Sequence, residues 1–305
     1  MPDTYEVTIR KEDRQFRLGL TSLLRRIAPA VILSLAVLVA PGVQSVLSAA
    51  ITCTDADYVG HYAFSSVGSL VDLPPQGAIF LGTISQAGRF NPDGKGSVPI
   101  ETFASYNGYE TNGYTPGATY SVSPDCVVSF NLTLPLPLGA PSQFTGILSE
   151  HGTQMVLMLT VPQGTVIIGQ HIKQDLLFCG LNNFSGAFQV DLTGTIARPQ
   201  QLSGQYRQLG RLVSDGDGNF TASLITNYNG NIVPETVTGT YTLNSECFLT
   251  LSYPSVSAAQ TVSFSGAIGG HGEIAMVTVL SEGWGVSGTL RAQEGTGGEQ
   301  LEIRQ

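Results

Sequence analysis

The chain has 305 residues and is acidic, with 14 Lys and Arg against 23 Asp and Glu and a formal charge of −9. Six of those basic and four of those acidic residues lie within residues 1–26, leaving eight against 19 and a charge of −11 on the rest. A surface with this balance and no basic run argues against nucleic acid and anionic membranes as partners, since both require clustered Lys and Arg. Abundant Gly, Thr, Ser, Val and Tyr suit pleated strands and tight turns better than helices.

The first element in chain order is a targeting segment. Arg25-Arg26 close a basic stretch, no charged residue occurs from Ile27 to Thr54, and the apolar run 27–40 is broken by Pro41-Gly42 before the small residues Ser48-Ala49-Ala50. A basic head, a short apolar core and a small-residue site are the parts of a secretory signal, so residues 1–50 are read as a signal peptide cleaved after Ala50. The alternatives are a start downstream of Met1 and an uncleaved anchor, since the uncharged run is long enough to cross a bilayer. Contact with a membrane is expected only through that uncleaved form.

Beyond this segment the second half of the chain repeats the first. Cys53, Gly60, Gly68, Asp93-Gly94, Tyr106-Asn107-Gly108, Cys126, Phe144, Gly146 and His151-Gly152 recur in order as Cys179, Gly186, Gly194, Asp215-Gly216, Tyr228-Asn229-Gly230, Cys247, Phe264, Gly266 and His271-Gly272. Two copies of one folding unit are implied, at 51–174 and 175–293, with 294–305 as a flexible tail. The connection at 175–178 is short and mostly apolar, which implies packed units. Each copy holds two cysteines at equivalent places. Behind a secretion signal they read as one disulfide per copy, Cys53 with Cys126 and Cys179 with Cys247.

In the first copy, eight strands are read at 60–67, 77–86, 96–107, 118–123, 126–134, 143–149, 154–161 and 165–173. Alternation is plain after Cys126, where Val128, Phe130, Leu132 and Leu134 share one face and Ser129, Asn131 and Thr133 the other. One face is buried and one wet, as in an antiparallel sheet. Glycine between aromatics on one face, at Tyr58, Gly60, Tyr62 and at Phe184, Gly186, Phe188, curves a sheet. The fold class is therefore all-β, two tandem antiparallel eight-stranded up-and-down barrels, with β-sandwiches as the alternative.

These motifs carry a resemblance. The order Cys, Gly-x-aromatic, Asp-Gly-x-Gly, Gly239-Thr-Tyr-Thr-Leu-Asn-Ser-Glu-Cys247 and Gly288-Thr-Leu-Arg-Ala-Gln293 resembles a family of secreted bacterial β-domains, which brings no known activity with it. The strand count and the Gly-x-aromatic start are also similar to calycin barrels, the lipocalin and avidin group. That second resemblance implies a ligand mouth at the loops 68–76 and 194–203.

The candidate functional residues are few. Asp215-Gly216-Asp217-Gly218 looks like the start of a calcium loop, but Thr226 stands where the distal Glu is needed and Lys95 replaces Asp217 in the first copy, so a turn is read. His151 and His271 are read as structural landmarks, without a nucleophile or carboxylate common to both copies. His61 and His171 have no counterparts, as Ala187 and Leu290 replace them. No catalytic residue, metal site or cofactor is assigned. Tyr62, Phe64, Phe188, Tyr106 and Tyr228 are the candidate ligand contacts. The expected function is a secreted, non-enzymatic protein binding a small apolar ligand or a cell-surface component. A structural or adhesive module without a pocket is the second reading, and an enzyme the third. A filled interior favours the module; a hollow one lined by Phe and Tyr favours binding.

Overall fold

The computed structural model describes residues 52–70, 82–133, 141–161, 165–176 and 178–293. The signal at 1–50, the tail at 294–305 and most of the loop 68–76 lie outside the described residues.

The second copy is a closed barrel of eight antiparallel strands, each paired with the next in sequence and the last with the first. They are β10 (Ser185–Ile196), β11 (Gly204–Asp215), β12 (Asn219–Tyr228), β13 (Asn231–Leu243), β14 (Phe248–Ser255), β15 (Gln260–Gly269), β16 (Ile274–Val279) and β17 (Trp284–Ala292). Alternate residues fill the inside: Phe188, Val190 and Leu192 from β10 meet Phe220, Ala222 and Leu224 from β12 in one buried cluster. Closure leaves no unpaired edge.

The first copy departs from the two-barrel expectation. It is a nine-stranded antiparallel sheet of β1 (Tyr62–Leu70), β2 (Gly82–Phe90), β3 (Ile100–Tyr106), β4 (Tyr109–Thr115), β5 (Thr119–Val122), β6 (Val127–Thr133), β7 (Pro141–Ser149), β8 (Gln154–Val161) and β9 (Thr165–Lys173). Its order is β4-β3-β2-β1-β9-β8-β7-β6-β5, so β4 and β5 are its ends. Both correspond to the single long strand β13. Pro116-Gly117 stands in the middle of that stretch in the first copy, where the second has Val237-Thr238. Proline has no N–H to offer a ladder and glycine weakens a strand, so the strand divides there. The strand β5 nevertheless reaches the segment that leads into β3. Ser97 bridges Thr119, Val98 N–H donates to Ala118 O at 3.0 Å, and Tyr120 N–H donates to Gly96 O at 2.9 Å. The strand β4 is absent from the sequence reading because Tyr109–Thr115 is mostly solvent-facing and carries no apolar alternation.

The two copies pack through sheet faces. The outer face of β1 and β2, built from Ala63, Ser65, Ser85 and Ala87, lies on the outer face of β15–β17. Small side chains let the sheets approach closely: Thr278 Oγ1 donates to Ser85 Oγ at 2.8 Å, and Ser287 Oγ to Ser66 O at 3.0 Å. A Cβ on Gly285 would lie 2.4 Å from Thr83 Oγ1. At one margin Arg89 sits over the Phe248 ring at 4.8 Å and donates to Glu246 O at 2.9 Å. At the connection Gln174 Nε2 donates to Ile268 O at 2.6 Å. The short linker thus joins units in contact, as its apolar composition implies.

Candidate functional site

Both interiors are occupied by side chains. Tyr62, Phe64 and Tyr106 are buried in the core of the first copy, and Phe188 and Tyr228 in that of the second. The cavity left beside Phe64, Phe90, Phe144 and His171 is about 30 Å³, and that beside Leu192, Phe220, Tyr253 and Leu290 about 20 Å³. A single water needs roughly 10–15 Å³ on this measure, so each space has room for one or two waters and for nothing larger. The five aromatic candidates are therefore core residues of two separate interiors, with the three tyrosine hydroxyls turned to protein partners. Tyr62 OH donates to Gly152 O at 2.5 Å, Tyr106 OH accepts from Gln86 Nε2 at 2.9 Å, and Tyr228 OH is 3.0 Å from Ser257 Oγ. Burial pushes the Tyr106 phenol up to about 12 and Tyr62 higher still.

In the barrel of the second copy Trp284 is fully buried against Tyr206 and Tyr228. Of the loop 194–203, read as a mouth, residues 194–196 belong to β10, and the rest is pinned to the turn beneath it: Ala197 N–H donates to Gly283 O at 2.6 Å. Glu235 fastens the neighbouring turn, accepting from Val256 N–H at 2.6 Å and from both Ser255 Oγ and Ser257 Oγ.

One polar pair in the first interior escaped the sequence reading. Tyr58 OH lies 3.0 Å from His171 Nδ1, and both side chains are buried among Phe64, Phe90 and Phe130. Burial alone pulls the imidazole down to about 3, so it is neutral at ordinary pH. The signal was available, because Tyr58 and His171 exchange together for Phe184 and Leu290 in the second copy. Two polar groups that vanish in concert are partners.

His151 and His271 occupy equivalent turns, with exposed rings. His271 Nε2 is 3.8 Å from Asp175 Oδ2. The fixed element of the motif is the following glycine. Gly152 and Gly272 hold φ of 85° and 97°, and a Cβ there would meet Asp57 O at 2.1 Å and Asn183 O at 2.9 Å. Only glycine admits that approach at that φ.

The Asp-Gly-x-Gly segments are turns capped by their own carboxylates. Asp93 Oδ1 accepts from Lys95 N–H at 2.8 Å and Ser97 N–H at 3.0 Å; Asp215 Oδ1 accepts from Asp217 N–H at 2.8 Å and Asn219 N–H at 3.0 Å. The backbone bonds hold the Asp93 carboxyl below its ordinary range, and at Asp215 the Asn219 Nδ2 side-chain bond does so first, followed by the backbone bonds. The disulfides pair as repeat symmetry requires, Cys53–Cys126 and Cys179–Cys247, with Cα atoms 4.9 and 5.0 Å apart.

The larger concavities are outside the two interiors. A trough of about 820 Å³ runs over the outer face of β12–β14, lined by the hydroxyls of Thr221, Thr238, Thr240, Ser252 and Thr261, with Asp215 and Asn219 at its rim. It offers neutral donors and acceptors to a ligand. Among the described residues no three His, Cys, Asp or Glu converge as a metal-binding group, and no helix is long and apolar enough to cross a membrane. No protein-family model and no curated protein matches this chain.

Proposed function

We propose that this is a secreted, non-enzymatic β-protein that works through its outer surface as a structural or adhesive module, and that its interiors do not carry a small apolar ligand. The observation behind this reading is the filling of both interiors, where cavities of about 20 and 30 Å³ remain among the aromatic side chains. Carrier pockets are typically about 300–1,000 Å³, an order of magnitude larger. The two disulfides fit an oxidising compartment, in keeping with the signal read at 1–50. A second reading, contact with a hydroxyl-rich cell-surface component, is favoured by the trough of about 820 Å³ and its lining of Ser and Thr side chains.

Trp284 is the one tryptophan of the chain and is buried in the second interior, which makes it a reporter of entry there. Titration with an apolar fluorophore such as 1-aminoanthracene should leave its emission unchanged. Saturable quenching of Trp284 at a stoichiometry of one would overturn the proposal.

A further inference from the structure

The repeat makes each outer face comparable with its counterpart in the other copy, and the comparison isolates one face. In the second copy the outer face of β15–β17, with Ala267, Met276, Thr278, Gly285 and Ser287, is covered by the β1–β2 face of the first copy. The corresponding positions on β7–β9 are Ile147, Val156, Met158, Val166 and Ile168, which are 54, 67, 55, 64 and 56% exposed. They are contiguous, since Ile147 pairs with Val156 and Met158 with Ile168 across the ladders. The same face that is small and covered in one copy is aliphatic and open in the other. Strands β7 and β8 contain no charged residue, and β9 only Lys173 at its end. An uncharged aliphatic face of this kind marks an association surface.

We infer that two copies of this chain associate about a two-fold axis through their β7–β9 outer faces. The other way to cover this face with the same chain is head to tail, using the β10–β11 face that corresponds to the covering β1–β2 face. That face has been closed to such a contact. Where β1–β2 has Ser65, Ser85 and Ala87, β10–β11 has Asp191, Arg207 and Leu209, with Asp191 and Arg207 paired at 2.8 Å and Arg211 beside them. Seating an aliphatic sheet on it would strip water from the Asp191–Arg207 pair, whose mutual attraction does not repay the desolvation. A two-fold contact places aliphatic on aliphatic, buries no charge, and closes on itself, so it ends at the dimer. It deepens the surface reading above, yet the two fail separately: a monomer that releases no ligand sinks the dimer alone, and a ligand released from the interior sinks the surface reading alone.

The test is sedimentation equilibrium of the exported full chain over a range of concentrations. The expected mass is that of two chains at high concentration, falling to one on dilution. Val156→Glu and Ile168→Glu should each give a monomer with an unchanged melt, while Leu209→Glu on the β10–β11 face should leave the dimer intact. Peroxide oxidation of unaltered protein gives an independent readout, since among the described residues Met158 is the exposed thioether while Met155 and Met276 are buried. Met158 oxidation should slow as concentration rises. A wild type that stays monomeric, a dimer that survives both Glu variants, species beyond the dimer, or Met158 oxidation independent of concentration would each overturn the inference. So would a monomer that binds phosphatidylcholine vesicles through this face, which would make it a lipid contact.

Discussion

The phenol of Tyr58 and the imidazole of His171 meet 3.0 Å apart inside the first copy, and the second copy replaces both, with Phe184 and Leu290 at the corresponding positions. The same interior thus exists in a polar and an apolar version within one chain. The polar version keeps its hydroxyl satisfied, but the histidine must remain neutral to stay there. Its other nitrogen, Nε2, is buried without a protein partner beside a cavity of about 30 Å³, room enough for a water.

His171→Leu should cost about 1–3 kcal/mol, because it leaves the buried Tyr58 hydroxyl unpaired. Tyr58→Phe added to it restores the pairing of the second copy and should recover most of that loss. Urea unfolding of the wild type, the single and the double variant checks this. Equal destabilisation in single and double variants would show that the pair contributes nothing as a pair.

The same histidine makes a pH signature. Its folded-state value of about 3 lies below the ordinary value near 6.5, so on acidification the unfolded chain takes up a proton first. The stability it confers is fully present above about pH 6.5 and is lost as pH falls towards 3, at up to about 1.4 kcal/mol per pH unit. The Tyr58→Phe/His171→Leu protein should have a flatter stability profile over that window. Parallel profiles for the two proteins would remove His171 from the account of acid sensitivity.

Gly285 and Val166 occupy corresponding places, one under the covering sheet and one in solvent. Gly285→Val would drive a side chain into Thr83 and should cost about 1–3 kcal/mol as overpacking. Val166→Gly should cost only about 0.5–1 kcal/mol, the ordinary penalty of glycine in a strand. Denaturant melts of both variants are the check; equal costs would mean that the contact between the copies tolerates bulk at this point.

Much of this fold was legible in the sequence because the repeat supplied internal controls. It selected Cys53–Cys126 and Cys179–Cys247 over the other pairings and showed Asp-Gly-x-Gly to be turn chemistry. It did not reveal β4, whose Tyr109–Thr115 residues face solvent and follow no apolar period. Nor did it separate core aromatics from pocket aromatics. Tyr62, Phe64, Tyr106, Phe188 and Tyr228 point inward in either case, and only the volume left between them distinguishes the two. The short apolar connection implied packed units, but not which faces meet: Ala63, Ser65, Ser85 and Ala87 carry no large apolar side chain, and small residues are what lets two sheets touch.

Replacing Cys53 and Cys126 together by Ser should lower stability by about 2–5 kcal/mol, since the bond closes a loop of 73 residues in the unfolded chain. Non-reducing peptide mapping of the wild type should recover this pair and Cys179–Cys247. A main product linking Cys126 to Cys179 would contradict the separate folding of the two copies.

Millimolar calcium should leave the melting temperature unchanged, because Asp215 already spends its oxygens on Asp217, Asn219 and the turn backbone. A rise of the melt with calcium that disappears in Asp217→Lys would show a metal site in the second copy.

Native mass spectrometry of protein purified from its source tests most directly whether the interiors are filled by the chain's own side chains and the outer surface is what functions. The account predicts a mass in gentle ionisation that equals the processed polypeptide, alone or as a whole-number multiple, with nothing released on denaturation. A discrete additional mass that travels with the folded chain and is freed as a small apolar molecule on unfolding would contradict it.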